Sequence, residues 1–159
     1  MTKVFISHQK LDREPCVQIA KYLIAVGIDV YFDEFDKELQ IATQNNDPNG
    51  VVTAIKKGVN QSTHMLCVIS PNTLNSKWVP FEVGYGYDKT QLATLTLKGI
   101  KNSELPDYIK IAPIIRDIYD INKFIEKYGN KYLFEARKFS EYSSYSHPLY
   151  NIMDSIITK

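Results

Sequence analysis

Apolar residues fall along this chain alternately in short unbroken runs and in stripes. Val4-Phe5-Ile6 is a β-prone run cut off by Ser7, His8 and Gln9, which predicts a strand over Lys3 to Ser7. Cys16, Ala20, Leu23 and Ile24 then recur at the spacing of an amphipathic helix, with Asp12 placed to cap it, Pro15 in its first turn and Gly27 to end it. Ile28 to Phe32, rich in β-branched and aromatic residues, reads as a second strand. This gives β-α-β within about thirty residues, the size of one parallel crossover unit.

Asp33 to Asn46 carries Asp33, Glu34, Asp36 and Glu38 early and Asn45-Asn46 late, with little apolar periodicity, and reads as a long loop with a solvated acidic face. Asp47-Pro48 resembles an N-cap followed by proline at the first helical position, and Val52, Ile55 and Val59 supply the stripe of a second helix. His64 to Ser70 is the strongest strand, apolar on both faces as a central parallel strand should be. Asn75 or Ser76 is placed to cap a third helix with Pro80 near its start, running towards Tyr87. Gln91 to Lys98 reads as a fourth strand and Ile114-Ile115 as a short fifth. Short helices are expected over Pro106 to Ala112 and Ile121 to Tyr128, the latter with Phe124 and Ile125 inward. Tyr142, Tyr145 and Tyr150 lie in a serine-rich loop, and Leu149 to Ile157 reads as a closing helix. Alternating strands and helices predict an α/β fold with an open parallel sheet and helices on both faces.

At 159 residues the chain has the size of one domain, and with 44% hydrophobic and 23% charged residues it has the composition of a globular one. A net charge of +1 removes the electrostatic argument for a nucleic-acid or anionic-membrane binder, so any polyanion contact must be local. Cys16 and Cys67 match no redox or zinc spacing and read as small buried hydrophobes of a reduced, cytoplasmic protein. No signal-peptide core or membrane-spanning run is present. The nucleotide motifs GxGxxG and GxxxxGK[ST] are absent. So are HExxH, GxSxG and CxxC, and the 3 histidines are scattered. Gly84-Tyr-Gly86 falls inside a predicted helix, where packing explains it better than phosphate binding. No metal site is expected.

Ligands of such folds bind at the carboxyl ends of the strands, which directs attention to Ser7 to Leu11, Asp33 to Asn46 and Ser70 to Glu82. Trp78, Glu82 and Tyr85 are spaced to share one helical face just beyond the predicted central strand. An indole there can stack on a ring, and a carboxylate can meet developing positive charge. The same residues can equally anchor the helix to the sheet and complement its dipole.

Four stretches, in this order, resemble the Toll/interleukin-1 receptor (TIR) domain in its bacterial stand-alone, Thoeris-type antiphage form: Val4-Phe5-Ile6-Ser7-His8, Tyr31 to Asp36, His64 to Pro71, and Ser76 to Gly84. They lie within residues 1–90. Residues 91–159 match by fold analogy. The resemblance implies a single flavodoxin-like TIR domain over 1–159, with a five-stranded parallel sheet. It also implies cleavage of the nicotinamide-ribose bond of NAD, with Glu82 catalytic and Phe5, Ser7, His8, Asp33, Ser76, Trp78 and Tyr85 contacting substrate. His8 stands where relatives often have tyrosine. NAD would be a consumed substrate with no separate cofactor, the product a cyclic ADP-ribose isomer or ADP-ribose. TIR-TIR self-association and a separate effector that senses the product are the implied partners. A non-catalytic TIR adaptor and a nucleoside deoxyribosyltransferase-like enzyme are the competing readings. Retention of both Glu82 and Trp78 weighs against the first, and the Asp33 to Asp36 and Trp78 patterns against the second.

Overall fold

The apolar run His64–Ile69 forms strand β3, and all of its residues are buried. The computed structural model describes residues 1–33, 36–136 and 147–154, without the side chains of 134–136. In it β3 lies between β1 (Lys3–Ser7) and β4 (Gln91–Thr96), with β2 (Asp29–Tyr31) outside β1 and β5 (Ile114–Ile115) outside β4. All four pairings are parallel, so the strand order β2-β1-β3-β4-β5 is that of a flavodoxin-like sheet. The central strand is the one whose sequence lacks any polar face.

Side-chain alternation splits the core into two layers. Val4, Ile6, Leu66, Val68 and Leu95 face α1 (Arg13–Ala25) and α5 (Ile118–Tyr128), where Leu23, Ile121 and Ile125 meet them. Phe5, Met65, Cys67 and Ile69 point the other way, onto α2 (Lys37–Gln44), α3 (Pro48–Asn60) and α4 (Val79–Lys89). A short helix, α6 (Lys131–Ala136), follows α5. Gly27 ends the first crossover with φ of +82°, a conformation that glycine adopts without strain.

The structure corrects the sequence reading in five places. Asp33 to Asn46 is not one loop, because α2 occupies Lys37–Gln44 with Leu39 and Ala42 buried. The signal was short: one i, i+3 apolar pair beneath a capping aspartate. Asp36 accepts a hydrogen bond from the Leu39 amide and another from the Tyr31 hydroxyl at 2.5 Å. Asn46, at φ of 51°, closes the helix in the left-handed conformation that asparagine tolerates. The acidic face dissolves accordingly, since Asp36 caps, Glu38 pairs with Lys57 at 3.6 Å and Asp33 lines a cleft. Asp12 precedes α1 but makes no capping bond. In α3 the buried stripe is Val51, Ala54, Ile55 and Val59, with Val52 only half-buried. Pro106 to Ala112 is a chain of turns closed by bonds such as Ile109 N to Pro106 O at 3.0 Å, not a helix. The described part of the closing segment, Leu149 to Asp154, is likewise turns. Glu34, Phe35, Tyr142, Tyr145 and the end of the predicted closing helix lie outside the described residues.

Both cysteines are free and buried, and burial pushes both thiols up, consistent with a packing role. Of the two glycines in α4, Gly86 lies against Met65 of β3, whose Sδ would stand 2.7 Å from an added Cβ, whereas Gly84 faces open space. Gly86→Ala should therefore cost about 1–2 kcal/mol by overpacking a closed core. Gly84→Ala should gain about 0.5–1 kcal/mol from helix propensity. Thermal denaturation of the two variants should shift in opposite directions, and equal shifts would contradict this packing.

Candidate functional site

The carboxyl ends of β1 and β3 lie side by side, since Ser7 pairs with Cys67, and the chain leaves each through a tight polar turn. After β1 come His8, Gln9 and a 3-10 turn at Lys10–Asp12. After β3 comes Ser70, whose hydroxyl accepts from the Asn72 amide while its own amide donates to the Thr73 hydroxyl. That second turn, Pro71–Asn75, delivers Ser76 and Trp78 to the start of α4. Between the two turns and the flank of α2 and α3 is a cleft of about 360 Å³. His8, Asp33, Ser76 and Trp78 line it, together with Leu39, Gln40 and Thr43 of α2. A larger depression of about 440 Å³ on the other side of α2, around Lys3, Tyr31 and Lys57, contains none of the expected site residues.

Glu82 sits one turn inward from Trp78, its amide donating to the Trp78 carbonyl at 2.9 Å. Its side chain is buried, and the Ser7 hydroxyl donates to Oε1 at 2.7 Å. Burial pushes the Glu82 carboxyl up to about 8; the negative charge of Asp33 pushes the same way, and the Ser7 hydrogen bond opposes both. At neutral pH the carboxyl is thus mostly protonated and poised to ionise when positive charge arrives. A buried carboxyl raised in this way at the end of the central strands is a candidate for chemistry.

Ser76 caps α4 by accepting from the Val79 amide at 3.1 Å, which leaves the Trp78 side chain free for the cleft rim. Trp78 is 39% exposed and meets Phe81 edge-on at 5.9 Å. The His8 ring stacks on Phe32 at 5.0 Å, and its Nε2 stands 3.7 Å from Asp33 Oδ1. The tyrosine expected of relatives at this position is thus replaced by a ring held flat against the core.

Of the expected residues, Phe5, Ser7, Glu82 and Tyr85 do not line this cleft: Ser7 and Glu82 form a buried pair behind it, and the other two are placed elsewhere. Phe5 lies in the core, stacked on Tyr31 at 4.7 Å, and does not line the cleft. Tyr85 points down α4 to Asn60 of α3, with its hydroxyl donating to Oδ1 at 2.9 Å, between Lys56 and Lys89. Of the three residues spaced along this stretch, Tyr85 turns to α3, whereas Trp78, just before α4, is exposed and Glu82, one turn on, is buried. The sequence reading also missed cations: Lys10, Arg13 and Lys77 rim the cleft. Net charge hid them, because it counts acids and bases over the whole chain rather than at the cleft.

Residues 4–124 match the family model of the TIR domain. The chain belongs to the TIR domain family. Among curated proteins it resembles a probable 3' cyclic ADP-D-ribose synthase, ThsB', of Bacillus cereus (strain MSX-D12), at 24% identity over 135 residues, which is 84% of this chain. The chain spans about 60% of that relative's length. Among solved structures it resembles the TIR domain of the Toll-related receptor TRR-2 of Hydra magnipapillata, with a TM-score of 0.57 and 16% identity over 87% of this chain and 98% of that one. That likeness carries the TIR fold. Among the described residues no helix is long and apolar enough to cross a membrane.

Proposed function

We propose that this TIR domain cleaves NAD at the nicotinamide-ribose bond and releases nicotinamide with a cyclic ADP-ribose isomer or ADP-ribose, as a signal in bacterial antiphage defence. The observation that carries the reading is the buried Glu82 carboxyl, held by Ser7 and lying one helical turn from an exposed indole at the mouth of a cleft. The resemblance to the Bacillus cereus synthase supports the choice of product.

The geometry suits so sparse a reaction. The nicotinamide ring carries positive charge in NAD, so the C1'–N electron pair leaves with it and the ring departs neutral, without a general acid. Glycosidases that expel an oxygen need a second carboxyl to protonate it. Here a single carboxylate suffices to stabilise the oxocarbenium-like ribose. Water as acceptor gives ADP-ribose and a proton; a hydroxyl or ring nitrogen of the same molecule gives a cyclic product and a proton. Lys10, Arg13 and Lys77 at the rim suit the negative pyrophosphate, and NAD itself is the consumed substrate. Exposed Leu74, Trp78 and Phe81 beside the cleft support self-association, and a separate cytoplasmic effector would read the product.

Incubation of the protein with NAD from nanomolar to high micromolar concentration, followed by chromatography and mass measurement, tests the reading. Free nicotinamide with ADP-ribose or its dehydrated mass is expected, with turnover per molecule rising as the protein associates. NAD left intact across that range would favour the adaptor reading. Trp78→Ala should raise KM about tenfold, the loss of one stacked ring being worth roughly 1–3 kcal/mol. An unchanged KM would remove the indole from the binding surface.

A further inference from the structure

Asp12 occupies the position from which an aspartate ordinarily caps a helix, yet its side chain makes no bond to α1. It is 4% exposed and turned away from the helix, towards the turn after β3. Oδ2 accepts from the Ser70 hydroxyl at 2.6 Å and Oδ1 accepts from the Asn72 side-chain amide at 2.9 Å. One carboxylate thus joins residues 58 and 60 positions apart, and both donors belong to the turn that delivers Ser76 and Trp78. The other end of the brace belongs to the turn that carries His8. The cleft opens between these two turns.

We infer that Asp12 is a positioning residue, whose carboxylate fixes the turn that delivers Trp78 against the turn that carries His8 and so sets the spacing between the indole and His8 across the cleft. A helix start that forgoes its own cap violates a local rule, and such violations are expected where a site demands them. The choice of residue follows from the donors. A carboxylate accepts from both at once, and its charge shortens and strengthens both bonds. A hydrophobic brace could hold the turns together but could not fix their register.

The inference rests on the NAD-cleaving reading only for its kinetic consequence. Trp78 is the only tryptophan in the chain, so its fluorescence reports the turn directly. Asp12→Asn removes the charge from both bonds and makes the Ser70 hydroxyl reverse its role from donor to acceptor, so acrylamide quenching of Trp78 should rise roughly twofold as the turn opens locally. With NAD, KM should rise by up to about tenfold, the limit set by removal of the ring, with kcat less affected, because the brace positions the indole and not the Ser7–Glu82 pair. The double variant Asp12→Asn/Asn72→Asp reverses the polarity of one bond. The amide at position 12 then donates to the new carboxylate while its oxygen still accepts from Ser70, so quenching and KM should both return towards the parent. Asn72→Ala removes one donor from a half-buried position and should give a partial effect in the same direction, should Asp12→Asn fold poorly. Quenching unchanged in Asp12→Asn and Asn72→Ala would overturn the inference, and so would a double variant that stays as loose as Asp12→Asn. An unmodified protein that releases no nicotinamide would instead refute the NAD-cleaving reading, with the quenching series still deciding the brace.

Discussion

Glu82→Gln is expected to cut nicotinamide release by about 10²–10³ while making the protein more stable at neutral pH. The loss in rate follows from charge: glutamine keeps the shape of the side chain and its acceptor for Ser7 but offers nothing to an oxocarbenium-like ribose. The gain in stability follows from linkage. Burial raises the folded carboxyl to about 8 from its ordinary 4.5. The folded state therefore holds a proton that the unfolded chain releases. Stability from this group is complete below pH 4.5 and is lost as pH rises through about 8. At pH 7 the penalty has a ceiling of about 3 kcal/mol at 1.36 kcal/mol per unit, so the variant should gain about 1–3 kcal/mol and several degrees in Tm. A carboxylate that merely complemented the helix dipole would show the reverse sign, a loss of about 0.3–1 kcal/mol with turnover intact. Thermal unfolding at pH 5 and pH 8, run beside nicotinamide release on the same preparations, separates the two. The stability difference between parent and variant should grow with pH. Near-parental release by the variant would end the proposed mechanism.

What the sequence made legible was what depends on local pattern. His64 to Ile69 announced itself as the central strand because a strand covered on both faces carries an unbroken apolar run, here Met65 to Ile69, and Asp47-Pro48 announced a helix start because the cap and the proline act within one turn. The second helix was hidden for the converse reason. It is one buried pair long, and its cap, Asp36, sits among acids that read as a solvated run. The site divided along the same line. Glu82 and Trp78 were named from motif and spacing. That Ser7 meets Glu82, 75 positions away, depends on β1 and β3 being neighbours, a pairing that periodicity cannot register. Phe5 and Tyr85 stood in the right stretches but turn the other way, because alternation along β1 sends Phe5 onto Tyr31 and the pitch of α4 carries Tyr85 to Asn60. Asp12 was read by its position before a helix, and only the packing of two distant turns gives it a different task.

If Glu82 acts as a carboxylate, kcat/KM for NAD should rise about tenfold per pH unit up to about pH 8 and then level, because that ratio reports the ionisation of the free protein. The limb in kcat should lie at lower pH, since the positive ring of bound NAD favours the charged carboxyl. Two neighbours make the assignment specific. The Ser7 hydroxyl stabilises the ionised form, so Ser7→Ala should move the limb to higher pH, with a deficit that is large at pH 7 and shrinks as the medium becomes alkaline. The charge of Asp33 disfavours ionisation, so Asp33→Asn should move the same limb to lower pH. Opposite displacements by two conservative changes on different elements are hard to obtain from altered folding, which would lower activity at every pH alike. Were both variants to keep the parental pH profile and lose only amplitude, the group that titrates would not be Glu82, and the buried pair with Ser7 would be structural.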